Sequence, residues 1–102
     1  MTDSRAARRL AAILAADVVG YSRLMENDET GTLAALKARR KEVLQPTVRE
    51  HNGRIFKVNG DGVLVEFASP TDAVECAIRL QRAMAAKNRA SLPAPEIVLR
   101  VR

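Results

Sequence analysis

Arg54-Ile55-Phe56-Lys57-Val58-Asn59-Gly60-Asp61-Gly62-Val63-Leu64-Val65-Glu66-Phe67 is the stretch on which the fold turns. Its two ends are rich in β-branched and aromatic residues, and its centre, Asn59-Gly60-Asp61-Gly62, is a strong hairpin signal. Two antiparallel strands are therefore expected, Arg54 to Val58 and Val63 to Phe67. Downstream, Ser69-Pro70-Thr71-Asp72 opens a helix, with Ser69 as cap, Pro70 at the first position and Asp72 completing an acidic first turn. Val74, Ala77, Ile78, Gln81 and Met84 are expected on one face of that helix, with Cys76 on the flank and partly buried. Ser91, Pro93 and Pro95 then form a loop, and Glu96 to Arg102 alternates as a last strand.

Upstream of the hairpin, Leu33, Leu36, Val43, Leu44 and Val48 recur at helical spacing. Asn27 or Asp28 can cap this helix, Pro46 should kink or split it, and Asn52-Gly53 closes it as a left-handed C-cap. His51, beside that cap, reads as a cap-region side chain. Leu10 to Val19 reads as a short buried strand ending near Asp17, with Gly20-Tyr21-Ser22 turning into a helix. The order strand, helix, strand, strand, helix, strand is the ferredoxin-like βαββαβ pattern. This is an α+β fold with a four-stranded antiparallel sheet and helices on one face. In that topology the first and third strands lie side by side at the sheet centre. The C-terminal end of the first meets the N-terminal end of the third, so Asp17 and Asp61 should converge at one edge of the sheet.

The 102 residues are 47% hydrophobic and 28% charged, enough for one domain with a core that needs no disulfide or metal staples. The longest apolar run, Leu10 to Val19, is interrupted by Asp17 and is about half a membrane span, so no membrane partner is expected. Arg5, Arg8 and Arg9 before an alanine-rich run look superficially like a signal peptide, but the run enters β-branched residues after an acid and reads better as a core strand. A single cysteine excludes an internal disulfide framework and a Cys-based zinc cluster, and fits a reducing, cytoplasmic setting.

The net charge of +5 invites a nucleic-acid reading. Its distribution weakens that reading. Residues 1–9 form a basic N-terminal arm, Arg100 and Arg102 sit at the other end, and Arg39-Arg40-Lys41 reads as a solvated helix face. RNA recognition on this fold needs aromatics on the central strands. The first strand has none and the third only Phe67, so no nucleic-acid partner is expected.

Two carboxylates held close repel unless one takes a proton or a cation sits between them. Hard oxygen ligands select Mg²⁺ or Mn²⁺, held by one or two carboxylates plus substrate phosphates. After Asp17, Gly20 allows close backbone approach, and the amides from Val18 to Ser22 can cradle a phosphate chain at a helix start. Together these features point to phosphoryl or nucleotidyl chemistry. Taken singly, Asp17 also reads as a helix cap and Asp61 as an ordinary hairpin residue.

Ile13-Leu14-Ala15-Ala16-Asp17-Val18-Val19-Gly20-Tyr21-Ser22 resembles the first-strand motif of the class III nucleotidyl cyclases, the adenylate and guanylate cyclase catalytic domain. Phe56-Lys57-Val58-Asn59-Gly60-Asp61-Gly62 resembles that family's second motif, and Phe67-Ala68-Ser69 its passage into a helix. The resemblance covers residues 10–102. It implies that Asp17 and Asp61 bind two Mg²⁺ (or Mn²⁺) ions, one activating the ribose 3′-hydroxyl and the other bracing the triphosphate. It also implies that the backbone of Val19, Gly20 and Tyr21 holds the β- and γ-phosphates, and that Lys57 faces the purine and goes with adenine. The implied reaction is conversion of ATP to cyclic AMP and pyrophosphate. The implied assembly is a head-to-tail homodimer, or a pairing with a complete cyclase domain, in which Lys57 serves the partner's site.

The family carries a second base-contacting residue, an orienting asparagine and a stabilising arginine on later strands, and these have no counterpart in the 102 residues. The domain is accordingly expected to be incomplete at its C-terminus and to have little or no turnover alone. The alternative is a non-catalytic, cyclase-like interaction or regulatory module. A diguanylate cyclase is set aside, because no Gly-Gly-acid-Glu-Phe stretch occurs at the hairpin.

Overall fold

The computed structural model describes residues 12–91 and 96–101. The N-terminal arm with Arg5, Arg8 and Arg9, Leu10 at the expected start of the first strand, Pro93 and Pro95 of the loop, and Arg102 lie outside the described residues. Strand β1 is Ala12–Val18, β2 Arg54–Asn59, β3 Gly62–Phe67 and β4 Leu99–Val101. The helices are α1 Tyr21–Asn27, α2 Glu29–Arg39, α3 Gln45–Glu50 and α4 Pro70–Ala90, with a π-helical turn, Arg40–Leu44, joining α2 to α3. The four strands form one antiparallel sheet in the order β2-β3-β1-β4, the arrangement expected from the sequence. Among the described residues no helix is long and apolar enough to cross a membrane.

The pleat sorts side chains to two faces. Leu14, Ala16 and Val18 of β1 and Val65 and Phe67 of β3 are buried, and they pack in one core with Val43, Leu44, Val48, Cys76, Leu80, Met84 and Ile97. Ile13, Ala15 and Asp17 take the opposite, uncovered face, together with Leu64 and Glu66 opposite them in register. Lys57 joins that face for a specific reason. In β2 the register steps from Ile55↔Val65 to Lys57↔Leu64, so Phe56 is an extra, bulged residue. In a strand of regular register Lys57, two residues after Ile55, would share a face with it.

Both expected caps form: Asp28 accepts the Gly31 amide at 3.0 Å and Ser69 Oγ the Asp72 amide at 3.3 Å. Pro46 does not break the helical path. It sits in the first turn of α3, just after the π turn, where the widened coil absorbs its missing N–H. The extra residue in that turn also shifts the phase. Leu33 is 46% exposed whereas Thr32 is buried, its hydroxyl donating to Leu24 O at 2.9 Å. At the end of α3 the left-handed residue is Asn52 (φ 59), not Gly53. Gly53 is required for another reason: a Cβ there would lie 2.5 Å from Phe67 Cε2.

On α4 the buried stripe is Cys76, Leu80, Met84 and Asn88. This corrects the expected face, since Val74 and Ile78 are 60% and 48% exposed and Gln81 is exposed, leaving Met84 and partly buried Ala77 as the residues read correctly. Cys76 is fully buried rather than partly so, and burial pushes its thiol up to about 11. His51 caps α3, its ring Nδ1 lying 2.8 Å from Thr47 O.

Candidate active site

Strand β1 delivers Asp17 to the end of the sheet where the β2–β3 hairpin turns. Gly60, at φ 59, makes that turn, and Asn59 pairs with Gly62 across it. Asp61 therefore projects from the turn toward the end of β1, and its Oδ2 accepts the Val18 amide at 3.2 Å. The two carboxylates meet at the same end of the sheet, as the topology requires. They line different depressions, however. Asp17 lies with Lys57, Ala15 and Asn59 around one of about 250 Å³ on the uncovered face. Asp61 lies with Val18, Gly20, Tyr21, Ser22, Arg23, Glu26 and Arg100 around one of about 580 Å³.

Gly20 sits at φ 68 and ends the strand-to-helix passage, a left-handed conformation that would strain any other side chain. Of the stretch expected to hold phosphate, the Val18 amide is given to Asp61 and the Val19 amide to Val98 O at 2.8 Å. Gly20, Tyr21 and Ser22 remain on the wall of the larger depression.

Arg100 ties the two depressions together. It stands opposite Asp17 in the β1–β4 register, its Nε donates to Asp17 Oδ1 at 3.1 Å, and it lines the larger depression. Read from sequence, Arg100 was one of several terminal basic residues. The signal that finds it is the alternation Leu99-Arg100-Val101: with the last strand beside the first, the exposed position of the one falls opposite the half-buried acid on the uncovered face of the other.

Arg39 departs from expectation in the other direction. It is 7% exposed, not part of a solvated face, and its Nη2 donates to Asn88 Oδ1 at 3.1 Å. With Asp61, Arg40, Val18 and Met84 it lines a cavity of about 50 Å³ on the core side of the hairpin turn.

The donor set suits a hard divalent cation that completes its shell from a substrate. Among the described residues no group of three or more His, Cys, Asp or Glu converges, so no all-protein cage exists. Two carboxylates at one end of the sheet, each on the wall of an open depression and close to a glycine turn, are donors of the kind that a magnesium-type ion shared with phosphates takes. The Arg100 guanidinium already neutralises part of the Asp17 charge, and a cation drawing on Asp17 has to share that carboxylate with it.

No family model matches the sequence. A Rhizobium meliloti (strain 1021) protein that carries an adenylate cyclase name is 66% identical over 94 residues, 92% of this chain and 16% of that protein. The structure of an adenylate/guanylate cyclase/hydrolase from Silicibacter pomeroyi superposes with a TM-score of 0.79 at 41% identity, covering 92% of this chain and 55% of that one. The chain belongs to the class III nucleotidyl cyclases. The adenylyl cyclase CyaB from P. aeruginosa, at 24% identity and a TM-score of 0.70, covers 87% of this chain and 52% of its own, and shares the fold. The chain thus spans about half the length of these cyclase structures and a smaller share of the R. meliloti protein.

Proposed function

We propose that this chain supplies the metal- and phosphate-binding half of an adenylate cyclase site, converting ATP to cyclic AMP and pyrophosphate. The observation that carries the reading is the bond from the Val18 amide to Asp61, which draws the second carboxylate onto the turn that follows the first. In that reaction the ribose 3′-oxygen bonds to the α-phosphorus and pyrophosphate leaves. Asp17 and Asp61 are the residues that would hold two Mg²⁺ or Mn²⁺ ions, which when bound neutralise the triphosphate and activate the 3′-hydroxyl. Gly20, Tyr21 and Ser22 shape the wall for the triphosphate, and Arg100 adds a positive charge there. Lys57 faces the purine. Head-to-tail pairing, with a second copy or a complete cyclase domain, presents Lys57 to the partner's nucleotide.

The later-strand groups of the family lie outside these 102 residues, so turnover is expected only when a partner supplies them. The test mixes the chain with a complete cyclase domain whose own metal aspartates are changed to asparagine. Cyclic AMP should form in the mixture and vanish with Asp17→Asn in this chain. No product from the mixture, with both proteins folded, leaves the non-catalytic module as the reading. Robust product from the chain alone contradicts the need for a partner.

A further inference from the structure

We infer that Arg39 and Asn88, both buried, are positioning residues that set Arg100 against Asp17 and the larger depression. This rests on the proposal that the depression takes a triphosphate.

Buried arginines normally face a carboxylate. Among the described residues Arg39 forms no ion pair, although Asp61 lines the same cavity and Glu42 feels its charge: it gives Nη2 to the neutral Asn88, and its Nε has no partner. Asn88 then grips the peptide groups of Ile97 from both sides, Nδ2 donating to Ile97 O at 2.8 Å and Oδ1 accepting Ile97 N at 3.0 Å. An amide used in this way mimics a neighbouring strand. Ile97 leads directly into β4, which has 3 residues and lies at the sheet edge.

So short an edge strand has little ladder of its own to fix its register. A slip by one residue would turn Arg100 to the opposite face, away from Asp17. The brace from Asn88 holds the strand at its entry, and Arg39 holds Asn88 by donating to the oxygen that also receives Ile97. Position therefore passes from α2 through α4 to β4, and reaches the ion pair of Arg100 with Asp17.

The test is a double-mutant cycle on the whole chain, read by calorimetric binding of inorganic tripolyphosphate, with circular dichroism as the check of folding. Asn88→Ala is expected to weaken tripolyphosphate about tenfold, the scale of one charge-assisted contact. In an Arg100→Ala background the same substitution should change affinity less than about twofold. Should Asn88→Ala fail to fold, Arg39→Met keeps both bonds from Asn88 to Ile97 and takes its place in the cycle. Equal losses in both backgrounds, no loss in either, or no tripolyphosphate binding by the unaltered chain overturns the inference. Cyclic AMP formation in the mixing experiment decides the functional reading separately. A coupled cycle without product sinks that reading alone, and product with an uncoupled cycle sinks this inference alone.

Discussion

Lys57 and Asp17 line the same depression on the uncovered side of the sheet, and one extra residue in β2, Phe56, is what puts Lys57 there. A bulge re-aims the side chain that follows it. If Lys57 reads the purine, reversing its charge should reverse the preference between bases. Lys57→Glu is expected to lower affinity for ATP relative to GTP by about tenfold, a difference of one charged hydrogen bond. Competition binding of the two nucleotides to the head-to-tail pair in the presence of Mn²⁺ measures it, and an unchanged ratio there removes Lys57 from base recognition.

Gly53 tests the packing under the hairpin. A methyl group there would stand 2.5 Å from the ring of Phe67, which is buried in the core. Gly53→Ala is expected to destabilise the fold by about 1–3 kcal/mol, the usual cost of overpacking. Urea denaturation should show the midpoint fall with little change in slope. A midpoint that stays put means that β2 shifts freely and that the seat of Lys57 is softer than described.

Cys76 gives the fold a signed alkaline dependence. Its thiol is raised from 9.0 to about 11 by burial, so between these values the unfolded chain has lost a proton that the folded chain keeps. The contribution is fully present below pH 9.0 and is lost as pH rises toward 11. Comparing the thermal midpoints of the unaltered chain and Cys76→Ala from pH 8 to 11 should show the gap close by an amount worth up to about 2 kcal/mol. A gap that is constant with pH contradicts this, as does rapid labelling of the native thiol at neutral pH.

The sheet order and the meeting of Asp17 with Asp61 were legible in the sequence because they follow from topology. Once hairpin, helix and strand are in order, few arrangements remain. The caps at Asp28 and Ser69 were legible because they depend on neighbouring residues alone. The helix faces were harder. On α4 the stripe through Val74 and Ile78 and the stripe through Cys76, Leu80 and Met84 are both apolar, and the alanines between them blur the period. On α2 the π turn slips the phase, exchanging Leu33 for Thr32 at the core, and no residue pattern announces such a turn. Arg39 was misread because a run of cations is usually solvated, and its partner Asn88 is distant in sequence. Arg100 was within reach from strand alternation and the order of strands.

The central claim is that Asp17 and Asp61 together hold a metal-bound nucleotide. The direct measurement is a calorimetric titration of ATP into the chain, with and without Mn²⁺, repeated on Asp17→Asn and Asp61→Asn after each has been shown to fold. Binding is expected to need Mn²⁺ and to weaken at least about tenfold with either substitution. Equal ATP affinity with and without Mn²⁺, or in all three proteins, would contradict it.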